Sequence, residues 1–402
     1  MSRPSARTPS RRALLASLGA AGSAALAGCS APFGRTDCAV GDRLAGAWRQ
    51  DGGGPAHAGR GTGSGPDSNR VAWRVGLGEE RTVGPLAYAD GILYASGSRI
   101  VDRERVGSLH ALDAATGATE WTATPPGEPH GTPAITDDRI LVASRPIDPE
   151  SGFLTAFDHA GEEVWREPFD TRLTAPPAVH DGVVYLGRWD GTVRAYDAAD
   201  GTERWRRRFA DERQSGSIYD AVTVAGGRLF VAVDTSREAG LYALAPDDGR
   251  TLWRGLTGTR FRSGPSVADG RVAVSTLRGR TSVVDAATGE FDWGTGLSDR
   301  WGGTLAFGPD TADLADESVY ALDATDGDQR WRVDSGVRAR SRPTVGDGVV
   351  FAPGRDGVVA LDPADGEVRW RFRGDLTTDA VLAGEVLFVG QPDGRVTALA
   401  DC

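Results

Sequence analysis

The side chains with which this 402-residue chain could do chemistry are three Cys, five His, 56 acids and 45 bases, every base an Arg. His57, His110, His130, His159 and His180 are scattered, with none of the short spacings that gather imidazoles on a metal. Asp310, Asp313 and Asp316 fall three apart, whereas a calcium loop places its ligands on alternate residues, so they read as a solvated acidic turn. No nucleophile elbow, phosphate loop or zinc-protease helix motif is present. The one Asn, Asn69, is followed by Arg70-Val71 and forms no glycosylation sequon. Neither a catalytic set nor a metal site is expected. The net charge of −11 argues against a surface built to coat nucleic acid.

Cys29 stands apart because its flanks explain it. Residues 1–12 carry Arg3, Arg7, Arg11 and Arg12 and no acid, and residues 13–27 are a run of Ala, Leu, Gly and Ser. At about 1.5 Å per residue such a run falls short of the ~30 Å of a bilayer core, so residues 1–28 read as a signal peptide. The Arg11-Arg12 pair resembles a twin-arginine export signal, and Leu26-Ala27-Gly28-Cys29 resembles a lipobox in which Cys29 takes the lipid. Without residues 1–28 the chain holds 41 basic and 56 acidic side chains, a balance of −15, the kind of composition that adaptation to high salt favours. The expectation is an exported protein, lipid-anchored to the outer face of the cytoplasmic membrane.

The elements that must carry these residues follow from a repeat. Ala111-Leu112-Asp113, Gly117 and Trp121 return as Ala195-Tyr196-Asp197, Gly201 and Trp205, and again at Trp293, Trp331 and Trp370, with looser copies at Trp165 and Trp253. From Trp73 the successive Trp spacings are 48, 44, 40, 48, 40, 38 and 39, the period of propeller blades. Asp-Gly pairs mark tight hairpins between short apolar strands. The Asp-to-Gly segment before each Trp reads as an Asx turn, and the Trp as an outer-strand residue packed between blades. The chain ends at Ala398-Leu399-Ala400-Asp401-Cys402, a third strand without a fourth, while Val71–Val75 is a fourth strand without a blade. The two complete each other. This predicts an all-β, eight-bladed β-propeller of four-stranded antiparallel blades, closed by an N-terminal strand and spanning 71–402. The blade Trp are Trp73, Trp121, Trp165, Trp205, Trp253, Trp293, Trp331 and Trp370. Residues 29–70, rich in Gly, read as a tether and wrapping arm that Trp48 anchors to the ring. Thr311–Ala315 makes a poor second strand for the sixth blade.

The Ala-Leu-Asp-Ala-x-Thr-Gly repeat, with Trp four residues later, resembles the pyrroloquinoline quinone (PQQ) enzyme-like propeller repeat over about 330 residues. That resemblance implies either a quinoprotein alcohol or sugar dehydrogenase or a non-catalytic assembly-scaffold lipoprotein. The dehydrogenases use a ring-stacking Trp, an adjacent Cys-Cys disulfide, calcium held by Glu, Asn and Asp, and an Asp base. Here Cys29, Cys38 and Cys402 offer no adjacent pair, and Asn69 precedes the closing strand. A PQQ and calcium site would need different parts, so no cofactor is expected and the scaffold reading leads.

With Cys29 lipidated, Cys38 and Cys402 remain in an oxidising compartment. Ring closure brings the chain end beside Trp73, within reach of the arm, which predicts a Cys38–Cys402 disulfide, two free thiols being the alternative. Strand order places the first and third turns of every blade on one face. The second turns and the crossings between blades fall on the other. The long insertions Ser96–Ser108, Ser144–Gly152 and Asp234–Gly240 all lie in second turns, and the crossings carry Arg81, Arg172, Arg213, Arg262, Arg300 and Arg340. Arg pairs well with carboxylate and phosphate, so this face is the candidate site for another protein or an anionic ligand, the alternative being pairing with the chain's own acids.

Overall fold

Short apolar strands punctuated by Asp-Gly turns build eight antiparallel sheets arranged as an eight-bladed β-propeller. The computed structural model describes residues 40–401 apart from 103, 147–150, 210–215, 219, 262, 298–303, 337–340 and 377. Blade 1 runs through strands Thr82–Ala89, Ile92–Val101, Glu104–Asp113 and Thr119–Ala123, from the axis outward. Its first turn, Asp90-Gly91, has positive φ at both residues, as do Asp181-Gly182 in blade 3 and Asp269-Gly270 in blade 5. That is the geometry whose twist suits a two-residue hairpin. Blades 2 to 7 repeat the order, with extra two-residue strands at Glu128–Pro129 and Gly216–Ser217.

Blade 8 closes the ring. Val381–Ala383, Val386–Gly390 and Arg395–Leu399 take Val71–Gly76 as their outer strand, antiparallel, with Trp73 opposite Ala398. In all eight blades the register slips by one residue where the outer strand approaches its Trp. Such a bulge re-aims the side chain that follows it. Each indole then reaches the neighbouring blade and donates its Nε1–H, at 2.7–3.1 Å, to a third-turn carbonyl there. The third-turn Gly is required at that point. Gly117 has φ +73°, and a Cβ on it would lie 2.8 Å from the Trp73 ring.

The sixth blade corrects two expectations. Thr311–Ala315 is a regular strand, paired with both Thr304–Phe307 and Val319–Asp323. Asp313 is not part of a solvated turn: it is 1% exposed, opposite Ala306, at the register place where blades 7 and 8 put Phe351 and Phe388. Arg60 of the arm, whose Nη2 lies 3.4 Å from its Oδ2, and Thr311, whose hydroxyl donates at 2.8 Å, make that burial tolerable.

The arm is far more than a tether. Trp48 is buried and bridges Tyr88 of blade 1 in both directions. Arg49 then accepts from Ile135 N–H, the Gln50 side chain from Val179, Pro55 from Val224, Ala56 from Val267, Ala58 from Phe307 and Gly59 from Val345. Gly65 and Thr62 finish on Gly384 of blade 8. Residues 48–65 thus pass once around the axis, visiting the inner strands in blade order from 1 to 8. An inner strand is an edge, and the arm satisfies the polar groups that it would otherwise leave bare. The contacts fall at the ends of the inner strands that lead into the first turns, so the arm closes the axial mouth on that face.

Candidate functional site

Two regions remain for function: the face of crossings and second turns, and the axis beneath the arm. On the open face the hairpin of blade 1 stays paired from Ile92–Asp113 out to Val101–Glu104, beyond the end of its inner strand. It holds Ile100 and Val101 at 61% and 41% exposure. In blade 3 the second turn presents Trp189, 38% exposed, with its Nε1–H donated to Thr174 Oγ1 at 2.6 Å and the Arg172 guanidinium 4.8 Å from its ring centroid. Behind it Arg188 is fully buried, stacked on Phe169, with Asp170 and Asp190 within 3.4 Å, and burial lowers its pKa. Of the Arg read as a ring around this mouth, Arg81 is exposed and Arg172 stacks on Trp189. Arg213, Arg262, Arg300 and Arg340 lie outside the described residues, as do Arg11, Arg12, Cys29, Cys38 and Cys402.

The axis holds a cluster that sequence reasoning missed. Asp51 and His57 project from the arm, and Arg342 from the start of blade 7. Arg342 Nη1 donates to Asp51 Oδ2 at 3.0 Å, and Thr132 Oγ1 of blade 2 donates to Oδ1 at 3.0 Å. His57 Nε2 pairs with the same carboxylate, while Nδ1 faces the Pro265 carbonyl at 3.2 Å. Arg342 and His57 are 5% and 2% exposed. Burial alone would raise the Asp51 carboxyl, but Arg342 and His57 hold it far below the usual carboxylate range. Asp379, which accepts Arg342 N–H at 3.1 Å, is pushed up to about 6 by burial.

A signal for this cluster exists in the aligned repeats. Counting two residues ahead of each inner strand's common starting point gives Pro85, Thr132, Pro176, Ala221, Gly264, Thr304, Arg342 and Asp379. Only blades 7 and 8 place a charge there. The set does not suit calcium, because the group facing Asp51 is a guanidinium, and among the described residues no three His, Cys, Asp or Glu side chains could hold a metal. The gap beside it, lined by residues including Gln50, His57, Pro177 and Val222, is too narrow for a water molecule. Among the described residues, this cluster offers calcium no seat.

Eight four-stranded blades, each stapled by a Trp over the next blade's third turn, define a β-propeller of PQQ-like repeats. A family model described as outer membrane protein assembly factor BamB matches residues 62–148, 150–259, 237–313 and 315–401, and the chain belongs to this family. It is 25% identical over 242 residues to the BamB of Nitrosomonas eutropha, covering 57% of this chain and 56% of that protein. It is 31% identical over 191 residues to the serine/threonine-protein kinase AfsK of Streptomyces griseus, covering 46% of this chain and 19% of the kinase. The chain thus spans well under two thirds of either relative. Among solved structures, quinohemoprotein alcohol dehydrogenase from Comamonas testosteroni superposes with a TM-score of 0.70 at 17% identity, covering 89% of this chain and 81% of that one. A europium-containing methanol dehydrogenase gives 0.67 at 14% identity, covering 86% and 89%. At these identities the likeness is one of fold.

Proposed function

We propose that the chain is an exported, lipid-anchored propeller that acts as a non-catalytic scaffold and presents its face of crossings and second turns to another protein. In this reading residues 1–28 are the export signal, Cys29 carries the lipid, 29–70 are tether and arm, and 71–402 are the ring. The observation that carries it is the contrast between the two mouths. The chain's own arm fills one, and the other carries projecting Ile100 and Val101 and the Trp189–Arg172 stack. Exposed Trp and Arg are the residues most often found at energetic centres of protein interfaces. Membership in a family named for an assembly factor supports the same reading. The test is capture of partners from the membrane fraction by the wild-type chain and by Trp189→Ala and Ile100→Asp. Loss of a specific partner in the variants supports the assignment, and identical capture overturns it.

The second reading, a quinoprotein dehydrogenase, is favoured by the fold shared with alcohol dehydrogenases. Adding PQQ and calcium to the purified protein and recording bound quinone absorbance and dye-linked alcohol or sugar oxidation separates the two. Stoichiometric quinone with turnover would replace the scaffold reading. Intact mass of the mature protein, reduced and unreduced, tests the lipid on Cys29 and the Cys38–Cys402 disulfide together.

A further inference from the structure

The loop Asp51–Gly54 differs from the rest of the arm. On either side the arm is bonded to the inner strands, through Gln50 to Val179 and through Pro55 to Val224. Among the described residues, the backbone hydrogen bonds of 51–54 stay within the arm: Gly53 N–H to Gln50, Arg49 N–H to Gly53, His57 N–H to Gly54 and Gly59 N–H to Gly52. What joins this loop to the ring by hydrogen bonds is the Asp51 carboxylate. Three consecutive Gly follow it, so the backbone there has wide freedom. Opening the loop would break its own bonds and leave the clasp around the axis in place.

Two of the three groups that receive the carboxylate, Arg342 and Thr132, belong to the ring, and the third, His57, belongs to the arm itself. Arg342 and Thr132 come from blades 7 and 2, and each gives one donor to a different Asp51 oxygen. The Arg342 Nε is buried with no partner. Asp379 and Asp220 also face this guanidinium, but their oxygens are turned to backbone N–H groups, Asp379 to Arg342 itself and Asp220 to Ala221 and Gly264. The buried guanidinium meets one side-chain carboxylate, delivered on a glycine loop, and its fork geometry suits any carboxylate of similar size.

We propose that Arg342 and Thr132 form a seat for a small carboxylate at the propeller axis. Asp51 is its resident intrachain occupant, carried on a glycine loop that opens to admit an external one. The ligand class is a compact organic carboxylate, with formate and acetate as probes. The seat is independent of the scaffold reading, since its failure would leave the open face untouched.

The test uses the full chain. Asp51→Ala should melt several degrees lower than wild type. Formate or acetate should restore about 3 °C or more relative to sodium chloride at equal ionic strength. The double variant Asp51→Ala/Arg342→Gln should not respond. In wild type, acetate should speed amide hydrogen exchange of Gly52–Gly54 and leave Trp48 and Val345 unchanged. Should Asp51→Ala not fold, Asp51→Asn and the wild-type exchange experiment decide. No carboxylate-specific shift in either variant and no change in wild-type exchange would overturn the proposal.

Discussion

Seven of the eight blade junctions are made by continuous chain, and the eighth is assembled from two pieces that are far apart in sequence. In the continuous case Asp113 accepts from Thr116 N–H and Oγ1–H, and Trp73 donates to the Ala114 carbonyl. In the split case Asp401 stands where Asp113 does. The arm supplies the missing residues: Asp67 N–H and the Ser68 hydroxyl donate to the Asp401 carboxylate, and Trp370 donates to the Pro66 carbonyl at 3.0 Å. Asn69 stands four residues before Trp73, where the other copies have Gly. The interface thus depends on geometry that any segment can supply, and covalent continuity is dispensable. What continuity adds is local chain entropy, because a continuous turn closes a loop of a few residues while the split one must hold two distant segments.

The sharpest way to break the comparison is to remove the arm's half. Deleting residues 40–69 while keeping Val71–Gly76 should cost the clasp, the Pro66 seat and the split turn together. Loss of the cooperative melt near the wild-type temperature is the expected result. A variant that melts normally would mean the arm is an accessory. Next in size, Trp370→Ala and Trp331→Ala should each destabilise by about 3–5 kcal/mol in denaturant unfolding. The Trp370 variant should also free Pro66–Asn69 to fast hydrogen exchange. Asp401→Ala should then cost more than Asp362→Ala, which removes a cap within one continuous turn.

The ring and its staples were legible because eight copies of one pattern constrain each other. The arm's path was not, because its bonds are mostly made by backbone atoms of a Gly-rich segment with no period. Asp313 was misread from its neighbours Asp310 and Asp316. Its register opposite Ala306, where other blades carry Phe351 and Phe388, marks it as inward. Arg342 was passed over in favour of Arg340, although only Arg342 aligns with Thr132 and Asp379.

The same contrast should appear against pH, with opposite signs. Asp313, facing the arm, is pushed up to about 6 by burial, as is Asp379. Folding then favours the protonated form, so each contributes stability that is full below about pH 3.9 and fades as pH rises through 6. The turn carboxylates go the other way. Asp197 is lowered by Arg204 and by backbone N–H groups, and Asp285 by Thr288. Their contribution is present above about pH 3.9 and is lost as pH falls through their lower folded values. Melting temperature should therefore rise on going from about pH 7 to 5. Asp313→Asn should flatten that rise, and Asp285→Asn should change only the acid limb. An unchanged slope in Asp313→Asn would show that Arg60 keeps the carboxylate charged.

The smallest expected effect is the most discriminating for the split turn. In the seven continuous turns the Gly has positive φ and lies against the preceding Trp: at Gly366, φ is +77° and a Cβ would sit 2.8 Å from the Trp331 ring. Gly366→Ala should therefore cost well above 1 kcal/mol, from backbone strain plus displacement of the indole. Asn69 carries a side chain at the equivalent place and is absent from the positive-φ residues, and its Nδ2 donates to the Arg371 carbonyl at 2.7 Å in an exposed position. Asn69→Ala should lose only that bond, about 0.5–1 kcal/mol. Asn69→Gly should gain nothing, since no left-handed residue is needed there. If Asn69→Gly instead stabilised the ring, the two-piece turn would be an imperfect copy of the others and not an alternative solution to the same junction.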